Sequence, residues 1–304
     1  MIAGRLILDV LAPVFALIGA GVAFDRAFRP DLPTLSKLNF YVFTPALVFV
    51  KLLESRLDGG LVAAVAGFNA LHFALLWALA AAIFRRPAFR PRRGLMTMGA
   101  VFNNSGNYGL PFAQLAFGDR GVEIMALIMV FQNVATFTVG LGLVGGHADA
   151  RAGLREIARA PVIYAVAAAL ALNALRVTLP RAVAFPLEQL GNGLIPIALL
   201  TLGVQLSRTR PDGRAAPLAA VVAMRLLVAP ALAAGLAALW SLIAPLPAGV
   251  VPVLVCAAGL PVAVNVHILA LEYRREPEFA ARMVLWSTVA SVATLAAWLA
   301  GYAA

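Results

Sequence analysis

The chain has 304 residues, 62% of them hydrophobic and 12% charged, where a soluble domain carries about 45–50% apolar and about 25% charged residues. That balance excludes a water-soluble protein. The net charge of +10 would suggest a nucleic-acid partner in a soluble chain, but here the basic residues lie between apolar runs and are read as setting orientation in a membrane, with no nucleic-acid partner. The single cysteine, Cys256, excludes an intramolecular disulfide.

A bilayer span takes about 20 apolar residues, so a chain of this length accommodates about ten with short connections. Apolar stretches at 6–24, 35–53, 61–84, 95–117 and 122–145 predict five spans, and stretches at 161–178, 183–206, 217–243, 248–271 and 281–303 predict five more. The first is read as a retained span and not a signal peptide, because Asp9 and Pro13 interrupt it and the second half holds its counterpart. The longest connection, about 146–160, is an ordinary loop.

The two halves share their punctuation. Pro13 pairs with Pro161, Pro45 with Pro196 and Pro111 with Pro261, at offsets of 148, 151 and 150 residues, and Gly109-Leu110-Pro111-Phe112-Ala113 returns as Gly259-Leu260-Pro261-Val262-Ala263. Five spans is an odd number, so the second half enters the membrane upside down. The expectation is an all-α integral membrane fold of ten transmembrane helices in two inverted five-helix repeats, 1–146 and 147–304. Cytoplasmic connections carry excess Lys and Arg. Seventeen such residues follow spans 1, 3, 5, 7 and 9, the densest group being Arg85, Arg86, Arg90, Arg92 and Arg93, against six on the other side, Arg5, Lys51, Arg56, Arg120, Arg176 and Arg181. Both termini are therefore expected on the non-cytoplasmic side.

Spans 4 and 9 carry helix-breaking residues at mid-depth. Span 4 reads Asn103-Asn104-Ser105-Gly106-Asn107-Tyr108-Gly109-Leu110-Pro111, and span 9 holds Gly259, Pro261 and Asn265. Non-helical backbone survives at that depth only where protein buries it or a watery cavity faces it. Interrupted segments at corresponding positions of two halves point to a transporter's binding site. Pro111 and Pro261 are expected in the first turn of each second half-helix, where a missing N–H costs nothing, and the N-terminal ends there favour anions. Asparagine amides hold a carboxylate without a buried countercharge.

Asn104 either contacts substrate or caps the first half-helix, and the mid-span break in both halves favours contact. Asn103 and Asn107 contact substrate or satisfy broken backbone. Asn265 lies one turn beyond Pro261 and is read as a contact, whereas Gly106, Gly109 and Gly259 are read as structural. Arg225, within span 8, either attracts an anion or extends its stem toward the cytoplasmic surface. His267 is a proton site or a packing residue, and Gln132 and Asn133 face the crossing or bridge helices. No carboxylate lies at mid-membrane, which argues against cation transport. No cluster of Asp, His or Cys suggests catalysis, a metal or a cofactor. The expectation is a secondary transporter and not an enzyme, with a membrane enzyme or channel as distant alternatives.

At these residues the chain resembles the auxin efflux carrier (PIN-like) transporter family, specifically its short bacterial members. The resemblance covers nearly the whole chain and rests on Asn104 five residues before Gly109-Leu110-Pro111, on Pro261-Val262-Ala263-Val264-Asn265 and Leu269-Ala270-Leu271-Glu272-Tyr273, and on Ser287-Thr288 and Ser291. It implies a scaffold of helices 1, 2, 6 and 7, often dimeric, and a transport domain of helices 3–5 and 8–10. It further implies that spans 4 and 9 cross at mid-membrane, with the substrate carboxylate held there by Asn104 and Asn265 beside the crossover prolines Pro111 and Pro261. By the same likeness the protein sits in the cell inner membrane and carries small mono- or dicarboxylates such as malate or malonate. The long central loop of the plant members is missing here. Bile acid:sodium symporters resemble the same fold, so a sodium-coupled anion symporter is the alternative.

Overall fold

The computed structural model describes residues 7–55, 59–140, 142–143, 155, 158–211 and 215–302. The expected repeat boundary at 146/147, and Arg5, Arg56, Arg151 and Arg214 of the orientation count, lie outside the described residues. Among the described residues the chain is helical, with one isolated antiparallel bridge and no strand.

Thirteen helices are named in chain order. In the first half these are α1 (Ala12–Phe28), α2 (Leu32–Leu38), α3 (Thr44–Leu53), α4 (Gly59–Ile83), α5 (Arg93–Val101) and α6 (Leu110–Ala135). The second half holds α7 (Pro161–Ala174), α8 (Arg181–Ser207), α9 (Ala215–Ala223), α10 (Ala229–Ile243), α11 (Val250–Ala258), α12 (Val264–Glu272) and α13 (Pro277–Tyr302). Helix occurs in each of the ten apolar stretches, and among the described residues seven continuous helical runs, some joining two of these helices through a wide turn, are long and apolar enough to cross a membrane. Helix α6 turns back on itself at Gly118, whose φ of 63° and ψ of −155° no helical residue adopts. This reversal separates the end of expected span 4 from span 5.

Four wider turns, Ile7–Leu11, Asn39–Phe43, Ser105–Gly109 and Met224–Val228, each end two residues before a proline: Pro13, Pro45, Pro111 and Pro230. The cause is local. Proline has no N–H for the carbonyl one turn back and its ring crowds that carbonyl, so the preceding turn widens to i→i−5 bonding. Asp31 accepts from the Thr34 N–H at 3.0 Å and starts α2; the bonds from Thr34 hold its carboxyl below the usual carboxylate range.

Helix α8 packs against α1 and α3, and α7 packs on α3. Close approach depends on absent side chains: a Cβ on Gly21 would overlap the Leu200 backbone and one on Gly203 the Ile18 backbone, while one on Gly191 would press tightly on the Leu47 backbone at 3.0 Å. Buried Asp25 at the end of α1 accepts two bonds from Arg208 at 2.9 and 2.7 Å and one from Ser207 at the end of α8. Asn173 ties α7 to the end of α3 through Leu53 and Ser55 carbonyls at 2.6 and 2.8 Å. Elsewhere α4 packs on α5 and α6, α10 on α11, and α13 on α9 and α12. Lys51 pairs with Asp119 at 2.7 Å, joining the end of α3 to the α6 reversal.

The two broken segments meet directly. Between α5 and the Ser105–Gly109 turn, and between α11 and α12, the chain unwinds, and Asn103 and Val262 pair as an antiparallel bridge. The Asn104 N–H donates to the Pro261 carbonyl at 2.8 Å and the Ala263 N–H to the Phe102 carbonyl at 3.0 Å. Each break thus satisfies backbone groups freed by the other, which lipid would leave unpaired. Pro111 occupies the opening turn of α6 as expected. Pro261 does not begin α12: it lies in the unwound segment, three residues ahead of Val264, and Ala263 is the N-cap residue. The bridge requires extended backbone there, and a proline's fixed φ and missing N–H suit that stretch while its carbonyl serves Asn104.

Candidate substrate site at the crossing of two broken helices

Beside the paired breaks lies a cavity of about 330 Å³, at the small end of the roughly 300–1,000 Å³ of ligand pockets. The unwound segment and the following wide turn contribute Asn103 to Asn107, and the start of α12 contributes Ala263, Val264 and Asn265. Gln132, Asn133 and Thr136 face it from the later part of α6 and the turn beyond. The lining also includes Ser36, Lys37 and Tyr41 from α2 and the turn after it, Arg159 just before α7, and Glu272 at the end of α12, of which Lys37, Tyr41, Arg159 and Glu272 are exposed.

The walls present hydrogen-bond donors without a cation at their centre. A helix leaves its first N–H groups without intrahelical partners, and both the Ser105 turn and α12 begin in the cavity wall. Asn104, 4% exposed, makes no side-chain cap bond, and its Nδ2 has no partner. The capping role considered from sequence is therefore not the one it plays. Asn103 donates Nδ2 to the Ala257 carbonyl at 3.0 Å while its Oδ1 stays unpartnered, as does Oε1 of buried Gln132. Asn265 Nδ2 stands 3.5 Å from Asn133 Oδ1, a long and weak contact. Buried amides without partners cost folding free energy, so this concentration at one cavity marks a place arranged for something to bind.

Of the residues expected at the site, Asn103, Asn104, Asn107, Asn265 and Gln132 line one cavity, and Asn133 joins them. Pro111, Pro261, Arg225 and His267 lie outside its wall. His267 Nδ1 bonds the Pro277 carbonyl at 3.0 Å, the arrangement of a packing residue. Arg225 neither reaches the surface nor lines the cavity: it is 1% exposed, donating Nη1 to the Ala100 carbonyl at 2.8 Å and Nη2 to the Ala258 carbonyl. Sequence reasoning missed Ser36, Thr44, Ser105 and Thr136, which carry no spacing signal, and treated Lys37 and Arg159 only as charges of loops. Among the described residues no three His, Cys, Asp or Glu side chains gather as metal ligands.

Helices built to cross a membrane, two of them broken and paired beside a cavity into whose wall several asparagines are built, define a membrane transport protein. The family model described as membrane transport protein matches residues 10–152 and 148–299, and the chain belongs to that family, which is that of the auxin efflux carriers. A Rhizobium meliloti (strain 1021) protein named "Putative malonate transporter" is 28% identical over 305 residues, covering 95% of this chain and 93% of its own. A Methanothermobacter thermautotrophicus (strain Delta H) protein named "Uncharacterized transporter" is 26% identical over 279 residues, covering 88% of each.

Proposed function

We propose that the protein is a secondary transporter of small organic anions, mono- or dicarboxylates such as malate or malonate, working by alternating access. The observation that carries this reading is the buried Asn104 amide, its Nδ2 without a partner, in a cavity walled by the starting turns of two half-helices. A carboxylate there accepts from Asn104, Asn107 and Asn265 and from first-turn N–H groups, and lies at the positive ends of two helix dipoles. The name of the Rhizobium meliloti relative supports a dicarboxylate of malonate size.

In this reading the chain forms two inverted five-helix repeats, 1–146 and 147–304, in the inner membrane with both termini on the non-cytoplasmic side. The similar nine-residue half-helices α5 and α11, each followed by an unwound crossing, support the repeat. Packing of α1, α3, α7 and α8 with one another supports a scaffold of spans 1, 2, 6 and 7 against which the remaining spans move. Lys37, Arg159 and Glu272, exposed charges of the cavity lining, belong to connections assigned to the cytoplasm by charge, which supports a cavity that opens inward.

The test is solid-supported-membrane electrophysiology on proteoliposomes, applying malate, malonate, lactate and indole-3-acetate with and without sodium. The expected result is a current for at least one small acid that disappears in the Asn104→Ala, Asn265→Ala double variant. Current that persists in that variant would refute the site. Strict sodium dependence would favour a sodium symporter, and silence for every acid beside an active control carrier would count against the small-carboxylate assignment and leave electroneutral exchange or other solutes.

A further inference from the structure

Arg225 occupies the wide turn Met224–Val228 that Pro230 imposes between α9 and α10. There its guanidinium is buried and donates to two carbonyls of different helices, Ala100 in the last turn of α5 and Ala258 at the end of α11. These are the C-terminal ends of the first half-helices of both broken segments. No carboxylate among the described residues pairs with Arg225, and its Nε has no partner. An unpaired cation at that depth is expensive, so the two carbonyl ends are what hold it.

The electrostatic consequence follows from the arrangement of dipoles. Each helix C-terminus carries roughly half a negative charge and each N-terminus roughly half a positive one. At a crossing of two broken helices the two signs meet, and their fields on a bound ligand oppose each other. One guanidinium on both C-terminal ends cancels about one negative charge. The positive ends at Ser105 and Val264, which form the cavity wall, are left without opposition. Arginine keeps its charge in proteins, so this bias is permanent.

We infer that Arg225 is a positioning residue that makes the crossing select carboxylates over uncharged molecules of the same shape, acting from behind the cavity without touching the substrate. The inference rests on the anion-transport reading above. It assigns anion preference to a fixed charge, with the asparagines supplying orientation.

The experiment compares wild type, Arg225→Met and Arg225→Lys in proteoliposomes, measuring malonate uptake and its inhibition by malonamide, with size-exclusion and thermal unfolding profiles of each. Wild type is expected to take up malonate and to be inhibited weakly by malonamide. In Arg225→Met the malonate KM is expected to rise about tenfold, with Vmax changed less than about threefold and the preference over malonamide falling in proportion to the KM rise. Arg225→Lys keeps the charge but loses the two-pronged geometry, and is expected to retain the preference within about threefold. A folded Arg225→Met protein with wild-type KM and preference, reduced only in Vmax or melting temperature, would overturn the inference in favour of a mechanical clamp. Loss of preference in Arg225→Lys, or failure of both variants to fold, would overturn it as well. No uptake of malonate, malate or lactate by wild type would instead remove the anion-transport reading, and the inference with it.

Discussion

Two glycines of one helix, two residues apart, are expected to respond to the same substitution with opposite signs. Gly19 and Gly21 both lie in α1, and replacing glycine by alanine in a helix interior gains about 0.8–1.0 kcal/mol from the lost backbone freedom of the unfolded chain. At Gly19 an added Cβ has nothing within 4 Å, so that gain stands. At Gly21 it would overlap the Leu200 carbonyl of α8 and lie 2.9 Å from the Leu200 Cα. The obstacle is backbone and cannot rotate away, so α1 and α8 must separate and loosen their other contacts. Overpacking costs about 1–3 kcal/mol, and the upper part of that range outweighs the propensity gain by about 1–2 kcal/mol. With about 2–4 °C per kcal/mol in a large domain, Gly19→Ala should melt a few degrees above wild type and Gly21→Ala roughly 2–8 °C below it. The assay is thermal unfolding of detergent-purified protein followed by tryptophan fluorescence. Equal shifts in the two variants would show that the α1–α8 approach is not what fixes Gly21.

Asn104→Asp places a carboxylate where the substrate's is proposed to lie, and carboxylate-driven currents should fall more than about tenfold while the protein stays folded, since like charges in a buried site repel strongly; unchanged currents would exclude Asn104 from the site. Lys51→Met and Asp119→Asn each remove a partly exposed pair, and each should cost about 1 kcal/mol or less. The exchange Lys51→Asp with Asp119→Lys should restore the melting temperature, and failure to do so would deny the pair any part in holding α3 to the α6 reversal. His267→Gln leaves the cavity wall untouched, so the pH profile of transport should not move and KM should stay within about twofold, as expected of a side chain that only bonds locally; a shifted profile measured by the same electrophysiology would make His267 a proton site.

Much of the fold was legible because its signals are local. Apolar runs of span length marked the helices, and Asn-Asn-Ser-Gly-Asn and Gly-Leu-Pro located both breaks, since asparagine, glycine and proline disfavour helix interiors by mechanisms contained within a turn or two of chain. Pro261 shows the limit of that reasoning. Its residue type predicted the first turn of a helix, but the pairing of Asn103 with Val262, in another part of the chain, required extended backbone there instead.

By itself, then, the sequence determined an apolar helical chain, the positions of its interruptions and a group of asparagines at them. Only the tertiary structure decided which of those amides are left without partners around one cavity, and that Lys37 and Arg159 join its lining. It also decided the position of Arg225, whose partners Ala100 and Ala258 lie 125 and 33 residues away along the chain. The physical reason is that composition and periodicity govern each helix through neighbours a few residues apart. A buried guanidinium at two helix ends depends instead on where separate helices meet, and that is set by packing between distant segments.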